Sequence, residues 1–113
     1  MGAERSTLPG GIGLVEVSGS LLGGDEINRL RNAVNDSINA QSDKLIIDFS
    51  KVSYMNSSAI GVLASAVVSY SRRGWKLRLS GLNKEVYSIL AITKLNLVLE
   101  ASKSREEAIR SFT

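Results

Sequence analysis

DFSKVSYMNSSAIGVL, residues 48–63, is the stretch that decides the fold. Its first two residues continue the apolar residues 45–47, and together they form a short, mainly apolar run that ends at Phe49. That pattern is typical of a central strand covered on both faces, as in a parallel sheet. A short loop is expected next, followed by a helix that begins near Ser57 with Asn56 as its N-cap. The stretch therefore predicts a strand–helix unit of an α/β domain.

The rest of the chain repeats this alternation. Leu14 to Val17 suits a strand that stops at Gly19, and Gly74 is well placed to end the second helix. Ser104 and Glu107 have the spacing of a capping box. The predicted helices span 25–41, 57–73, 83–91 and 104–112, and the predicted strands 14–17, 45–49, 75–79 and 97–99, with room for a short edge strand near 6–8. The fold class is therefore α/β, with a four- or five-stranded, mostly parallel, mixed sheet and about four helices.

Length and composition allow one domain and exclude several kinds of site. The 113 residues are 43% apolar, enough for a single core. Residues 1–12, with the only proline, are expected to be a lead-in segment, and residues 13–113 the domain. The absence of cysteine and histidine excludes disulfides, thiolate or imidazole metal sites and histidine-based catalysis. We therefore expect no enzyme activity, no catalytic residues, no metal and no cofactor.

Charge and hydropathy indicate a cytoplasmic protein without membrane insertion. No apolar run reaches the roughly 18 residues that a membrane span needs, and no signal peptide is expected. The net charge is only +3. The nearest basic cluster is Arg72, Arg73, Lys76 and Arg78, and the first two fall in the last turn of a helix, where positive charge is favoured. Direct nucleic-acid binding is therefore not expected.

The helix start at Asn56, Ser57 and Ser58 is the candidate site. It lies at the carboxyl end of the predicted central strand, the edge where ligands bind in open α/β sheets. A phosphate on a hydroxyl here would be accommodated by the free amides and the helix dipole, and would add roughly two negative charges to the surface. The same residue types are also ordinary helix caps, so the residues alone leave capping and a phosphorylation switch both open.

The predicted second helix carries two apolar stripes. One holds Ile60, Leu63, Ala64 and Val67, and the other holds Val62, Ala66 and Tyr70. Such a helix is either deeply buried or keeps one face for a partner, and the sequence leaves both readings open.

The stretch resembles the signature of STAS domains: a strand with an aspartate, a short turn, then an acid-serine-serine or acid-serine-threonine step that opens a helix. The matching positions are Asp48, Val52, Met55, Asn56, Ser57, Ser58, Ile60, Gly61 and Leu63. Similarity to the family continues at 17–21, 74–80 and 83–90. Three positions depart from the pattern: Asn56 replaces the acid, Ala59 replaces a glycine, and Leu22 replaces an acid in a loop with one extra residue.

The resemblance implies an anti-sigma factor antagonist that acts by partner switching. In that family the unphosphorylated antagonist binds an anti-sigma factor that is also a serine kinase and frees the sigma factor; phosphorylation blocks binding and a cognate phosphatase restores it. The matching phosphoacceptor is Ser57, with Ser58 as the competing residue. The implied partner-binding residues are Leu22, Gly23, Gly24, Asp25, Asn56, Ser57, Ser58, Ala59 and Gly61. The alternative is a non-phosphorylated STAS subunit of a lipid-transport ABC complex or a signalling scaffold.

Overall fold

The computed structural model describes residues 2–21, 24–92, 100–102 and 104–112. Within them a single sheet has five strands in chain order, with the first pair antiparallel and all later pairs parallel. The strands are β1 Gly2–Leu8, β2 Ile12–Leu21, β3 Lys44–Met55, β4 Lys76–Ser80 and β5 Glu100–Ser102. The helices are α1 Gly24–Asn39, α2 Ser57–Arg72, α3 Lys84–Ile92 and α4 Arg105–Arg110. The predicted mixed α/β sheet with about four helices is confirmed.

β3 is the central strand, as its apolar run predicts. It lies between β2 and β4, and its residues 45–47 and Phe49 are fully buried. The predicted strand at 97–99 lies outside the described residues; β5 begins just after it, at Glu100.

The sheet has a core on each face because strand side chains alternate between the two sides. Ile47 packs in the larger core, which includes buried residues of α1, α2 and α3. Its neighbour Ile46 packs on the opposite face with Leu14 and with Ala108 of α4. α4 therefore covers one face and the other three helices cover the opposite face.

The first two strands are longer than expected. The edge strand expected near 6–8 is the seven-residue β1, paired with β2 along its whole length and joined to it by a turn at 9–11. The prediction that β2 stops at Gly19 is wrong: the strand continues to Leu21, and register shifts lie on both sides of Ser18 and Gly19. Gly19, with φ 89°, supplies the left-handed conformation that lets the strand bulge instead of ending.

The expected loop after Phe49 is also absent. β3 continues to Met55 because β2 still pairs with its last residues, although β4 pairs with β3 only as far as Asp48. The segment from Ser50 to Met55 is therefore a strand extension that leads directly to the start of α2.

A glycine ends α2 and a capping serine begins α4. Gly74, with φ 70°, ends α2 in a Schellman arrangement: its N–H donates to the Ser71 carbonyl, and the Trp75 N–H donates to the Tyr70 carbonyl. The Trp75 and Tyr70 rings meet edge to face at 5.6 Å between centroids. Ser104 caps α4 by accepting the Glu107 N–H at 3.2 Å. The predicted helices are right in place and differ from the observed ones only by one or two residues at some ends.

An ion-pair cluster fastens α4 to the sheet. Arg105 at the start of α4 donates to Asp48 on β3 at 3.0 and 3.1 Å and to Glu16 on β2 at 2.9 Å. Burial raises the pKa of Asp48, but the hydrogen bonds from Ser50 and Arg105 outweigh it, so the pKa lies below its ordinary value. Asp48 therefore stays ionised and holds Arg105 in place.

Candidate functional site

The candidate site lies where β2 and β3 end side by side. Leu21 is the register partner of Met55 in the parallel pair, so the chain leaves both strands at the same edge of the sheet. α1 begins at Gly24 and α2 at Ser57, each within three residues of its strand. Two of the predicted contact residues, Leu22 and Gly23, lie outside the described residues. The two helix starts at this edge follow directly from the strand pairing.

Asn56 caps α2, as predicted. Its backbone is extended, its side-chain oxygen accepts the Ala59 N–H at 3.1 Å, and its carbonyl accepts the Ile60 N–H at 3.2 Å. Within the described part of the chain, no acceptor is recorded for the amides of Ser57 and Ser58. These first-turn amides are the ones that a helix leaves free for water or an anion.

The two candidate hydroxyls are both exposed. Ser57 and Ser58 are the first two residues of α2, and both face solvent, whereas Ala59 behind them is fully buried. Ser58, the competing phosphoacceptor, makes no side-chain hydrogen bond within the described residues. Gly61, one turn further, is exposed, as are Gly24 and Asp25 at the start of α1.

Tyr54 is an exposed aromatic residue beside the site that sequence reasoning missed. It lies on the strand extension two residues before Asn56, and its side chain is 43% exposed. Tyrosine is enriched at protein interfaces because its ring is apolar and its hydroxyl can hydrogen-bond. The available signal is an aromatic residue two positions before a helix cap, but the sequence pattern predicts a loop there.

Both apolar stripes of α2 pack against the core. Val62, Leu63, Ala66 and Tyr70 are buried, and the partly buried Ile60 and Val67 pack against the same cluster. Of the two readings left open by the sequence, the stripes themselves fit burial. The solvent face of α2 carries a different set of residues, mostly small: Ser57, Ser58, Gly61, Ser65 and Val68.

The basic cluster is divided between structural contacts on different elements. The Arg73 guanidinium donates to the Ser69 carbonyl at 2.9 Å and lies over the Trp75 ring. Arg78 donates to Ser111 on the opposite face of the sheet and lies over the Phe112 ring. These side chains therefore do not form one continuous basic face.

Within the described part of the chain, none of the helices is long and apolar enough to cross a membrane. The same residues contain no group of three or more acidic side chains placed to hold a metal ion.

Comparison with known proteins decides the family. The family model of the STAS domain matches residues 6–108. The chain belongs to the STAS domain family. The match includes both helix starts at the candidate site and the strand extension with Tyr54, so the site is part of the STAS domain.

Solved structures agree with this STAS fold. An anti-sigma factor antagonist from Mycobacterium paratuberculosis has a TM-score of 0.84 at 17% identity, covering 96% of this chain and 91% of that one. The phosphorylated form of the Bacillus cell fate determinant SpoIIAA has a TM-score of 0.77 at 15% identity, covering 98% and 99%. A sulfate transporter family protein from Wolinella succinogenes has a TM-score of 0.75 at 17% identity, covering 94% and 88%. At these identities the likeness is one of fold.

Proposed function

We propose that this STAS domain is a cytoplasmic anti-sigma factor antagonist that works by partner switching. Its unphosphorylated form binds an anti-sigma factor that is also a serine kinase, and so releases the sigma factor. Phosphorylation of Ser57 blocks that binding, and a cognate phosphatase reverses it. The observation that carries the proposal is the exposed hydroxyl of Ser57 directly after the capping Asn56, at the end of the central strand.

The proposed contact surface surrounds the start of α2. It comprises Asn56 to Ser58, Gly61, and the segment from Leu22 to Asp25 that leads into α1. Ala59, which the resemblance implies as a contact residue, is fully buried and is not part of the surface. Tyr54 extends the surface along the end of β3. A surface of mostly small side chains with one exposed aromatic ring suits a protein partner, because aromatic side chains give much contact area at low entropic cost.

A phosphate on Ser57 would change binding without changing the fold. The free first-turn amides and the helix dipole favour a negative group at this end of α2, so the helix is not destabilised. Covering the phosphate with a partner would require its desolvation, which costs more than a small contact returns unless every oxygen is paired. The switch thus acts by excluding the partner.

Asn56 in place of the family's acid is compatible with this mechanism. Asparagine caps a helix as well as aspartate does, and here it makes the cap. It also leaves one negative charge fewer beside the phosphoacceptor. The proposed activity is binding and not catalysis: the kinase supplies the phosphoryl transfer.

The test is incubation of the intact protein with ATP and a serine kinase of the anti-sigma factor type from the same organism, followed by intact mass measurement and peptide mapping. We expect one added phosphate, lost in Ser57→Ala and retained in Ser58→Ala. Ser65→Ala is the matched control, an exposed serine two turns along the same helix. Label on Ser58 alone would move the site; no label from a kinase active on another substrate would refute the switch.

A second candidate has one observation in its favour. The chain shares its fold with a sulfate transporter family protein, so the same fold is also found in a transporter family. By analogy, this domain would be a non-phosphorylated subunit of another assembly, such as a lipid-transport ABC complex or a signalling scaffold. Co-purification with transporter subunits, together with no phosphorylation by the kinase of the test above, would select this candidate.

A further inference from the structure

A groove runs between α1 and α2 on the side of the domain next to the candidate site. Its volume is about 450 Å³. Its apolar lining comes from Val34 and Ile38 of α1 and from Val62 and Ala66 of α2. Ligand pockets span about 300–1,000 Å³ and combine an apolar lining with a few polar groups, so the groove has the size of a small-molecule site.

The polar groups of the groove are one cation, the amide of Asn35 and serine hydroxyls, all of which can donate a hydrogen bond. Arg31 lines it from α1, and Ser58 and Ser65 line it from α2. One Arg31 nitrogen donates to Asn28 at 2.6 Å, which leaves other N–H groups of the guanidinium for a ligand. For the two serine hydroxyls no partner is recorded in the described chain. No described residue lining the groove carries a carboxylate.

The groove is also open at Gly61. A Cβ placed there would meet no atom within 4 Å, so the helix surface is recessed at this point and nothing covers it. The lining on α2 extends over the twelve residues from Ser58 to Ser69, roughly 17 Å along the helix. A long narrow surface of this kind suits an extended chain better than a compact ring.

We propose that this groove binds a small monomeric amphiphilic anion, an alkyl chain carrying a carboxylate or a phosphate. The alkyl chain lies along Ile38 and over the small exposed parts of Val34 and Val62, which otherwise pack in the core, and the anionic head pairs with Arg31 and with serine hydroxyls. The charge of the lining selects the sign of the ligand, since Arg31 attracts an anion and no described carboxylate in the groove would pair with a cation.

Binding of an amphiphile in the groove has a consequence for regulation, and this consequence rests on the proposed function. The binding of the amphiphile does not depend on that function. Ser58 and Gly61 belong both to the groove and to the proposed partner surface. A bound amphiphile would occupy part of that surface and compete with the partner. Ligand binding would then act as a second input beside phosphorylation.

The test uses decanoate, kept below its micelle concentration, titrated into the whole protein and followed by calorimetry and amide chemical shifts. Decylammonium is the probe of matched chain length and opposite charge. We expect one decanoate per protein, shifts concentrated on 31–38 and 58–69, and binding of decylammonium at least fivefold weaker.

Two variants and one control test the geometry. Arg31→Gln should weaken decanoate binding about threefold to fivefold, the worth of an exposed charge pair. Gly61→Leu should weaken it at least tenfold, because the new side chain fills the recess without a clash at its Cβ. Arg72→Gln, an exposed arginine in the last turn of the same helix, should leave it unchanged.

Equal binding of the two probes, shifts centred elsewhere, or no binding of decanoate would overturn the proposal. Unchanged binding in both Arg31→Gln and Gly61→Leu would overturn it too. Sedimentation with phosphatidylglycerol vesicles distinguishes a monomeric ligand from a lipid surface. Binding to vesicles without binding to monomeric decanoate would assign the groove to a lipid surface and overturn the proposed ligand. None of these outcomes depends on a kinase, so failure here is distinct from failure of partner switching.

Discussion

Arg105 should be a sensitive position near the surface, because it joins α4 to two strands through one buried and one more exposed partner. Its side chain is 33% exposed, while the Asp48 side chain is only 7% exposed and the Glu16 side chain 40%. Replacement by methionine keeps the length of the side chain and removes its charge. The Asp48 carboxylate would then keep the Ser50 N–H but lose the guanidinium.

The magnitude follows from those exposures. Breaking a fully buried ion pair costs about 3–5 kcal/mol, and an exposed pair is worth about 0–1 kcal/mol. Arg105 is one-third exposed and Asp48 retains one donor, so we expect Arg105→Met to lower the free energy of unfolding by about 2 kcal/mol. Glu16→Gln, the matched control on the same arginine nitrogen, should lower it by less than about 0.5 kcal/mol.

Urea unfolding followed by circular dichroism measures both effects. A loss of about 2 kcal/mol corresponds to a fall of roughly 1 M in the urea midpoint for a small domain. In double-mutant cycles with Arg105→Met, the coupling energy with Asp48→Asn should exceed that with Glu16→Gln. Equal couplings, or an Arg105→Met midpoint within error of the unsubstituted protein, would refute the view that the buried partner dominates.

The pH dependence gives an independent check. The folded-state pKa of Asp48 lies below the ordinary value of 3.8, so its ionisation stabilises the fold fully above that pH. The stabilisation is lost as the pH falls through the folded-state pKa. The stability difference between the protein and Asp48→Asn should therefore be constant at neutral pH and shrink below about pH 4. A difference that persists or grows in acid would contradict the sign of the pKa shift.

Further predictions concern glycines, the cap and one buried tyrosine. Gly81→Ala should lower the free energy of unfolding by several kcal/mol, because Gly81 has φ 71° and a Cβ there would lie 2.7 Å from Ser50. Gly61→Ala lies on an open helix surface and should raise the free energy of unfolding by about 0.5–1 kcal/mol. Thermal melting compares the two variants. Asn56→Ala should lower the free energy of unfolding by about 1 kcal/mol, and Asn56→Asp should leave it almost unchanged. Equal melting temperatures for the unsubstituted protein and both variants would count against the cap. Burial raises the pKa of Tyr70 to about 12, so stability should fall as the pH rises above about 10, and Tyr70→Phe should remove that loss in alkaline urea titrations.

Local patterns in the sequence predict most of the fold and one part of the site. The apolar run before Phe49 and the cap at Asn56 each depend on neighbours a few residues away, and both were found. Gly19 was misread because a glycine that ends a strand and one that makes a bulge look alike until the partner strand is known. The Arg105–Asp48 contact joins residues 57 apart, so no local spacing indicates it.

The groove and the exposure of Tyr54 could not be predicted from the sequence, because both depend on which elements lie side by side. A groove is formed by two helix faces. Val62 and Ala66 of α2 belong to an apolar stripe that the sequence shows, but no local pattern indicates that α1 lies beside them. Tyr54 is exposed because the strand extension has no β4 residue beside it, a consequence of strand lengths that periodicity does not report.

The measurement that tests partner switching most directly is the affinity of the partner kinase for this protein before and after phosphorylation. Calorimetry measures that affinity on samples whose modification at Ser57 has been checked by mass. We predict that phosphorylation raises the Kd at least a hundredfold, about 2.7 kcal/mol, that Ser57→Ala keeps the unphosphorylated affinity, and that melting temperatures stay the same. Equal affinity of the two forms, with the phosphate on Ser57, would contradict the account.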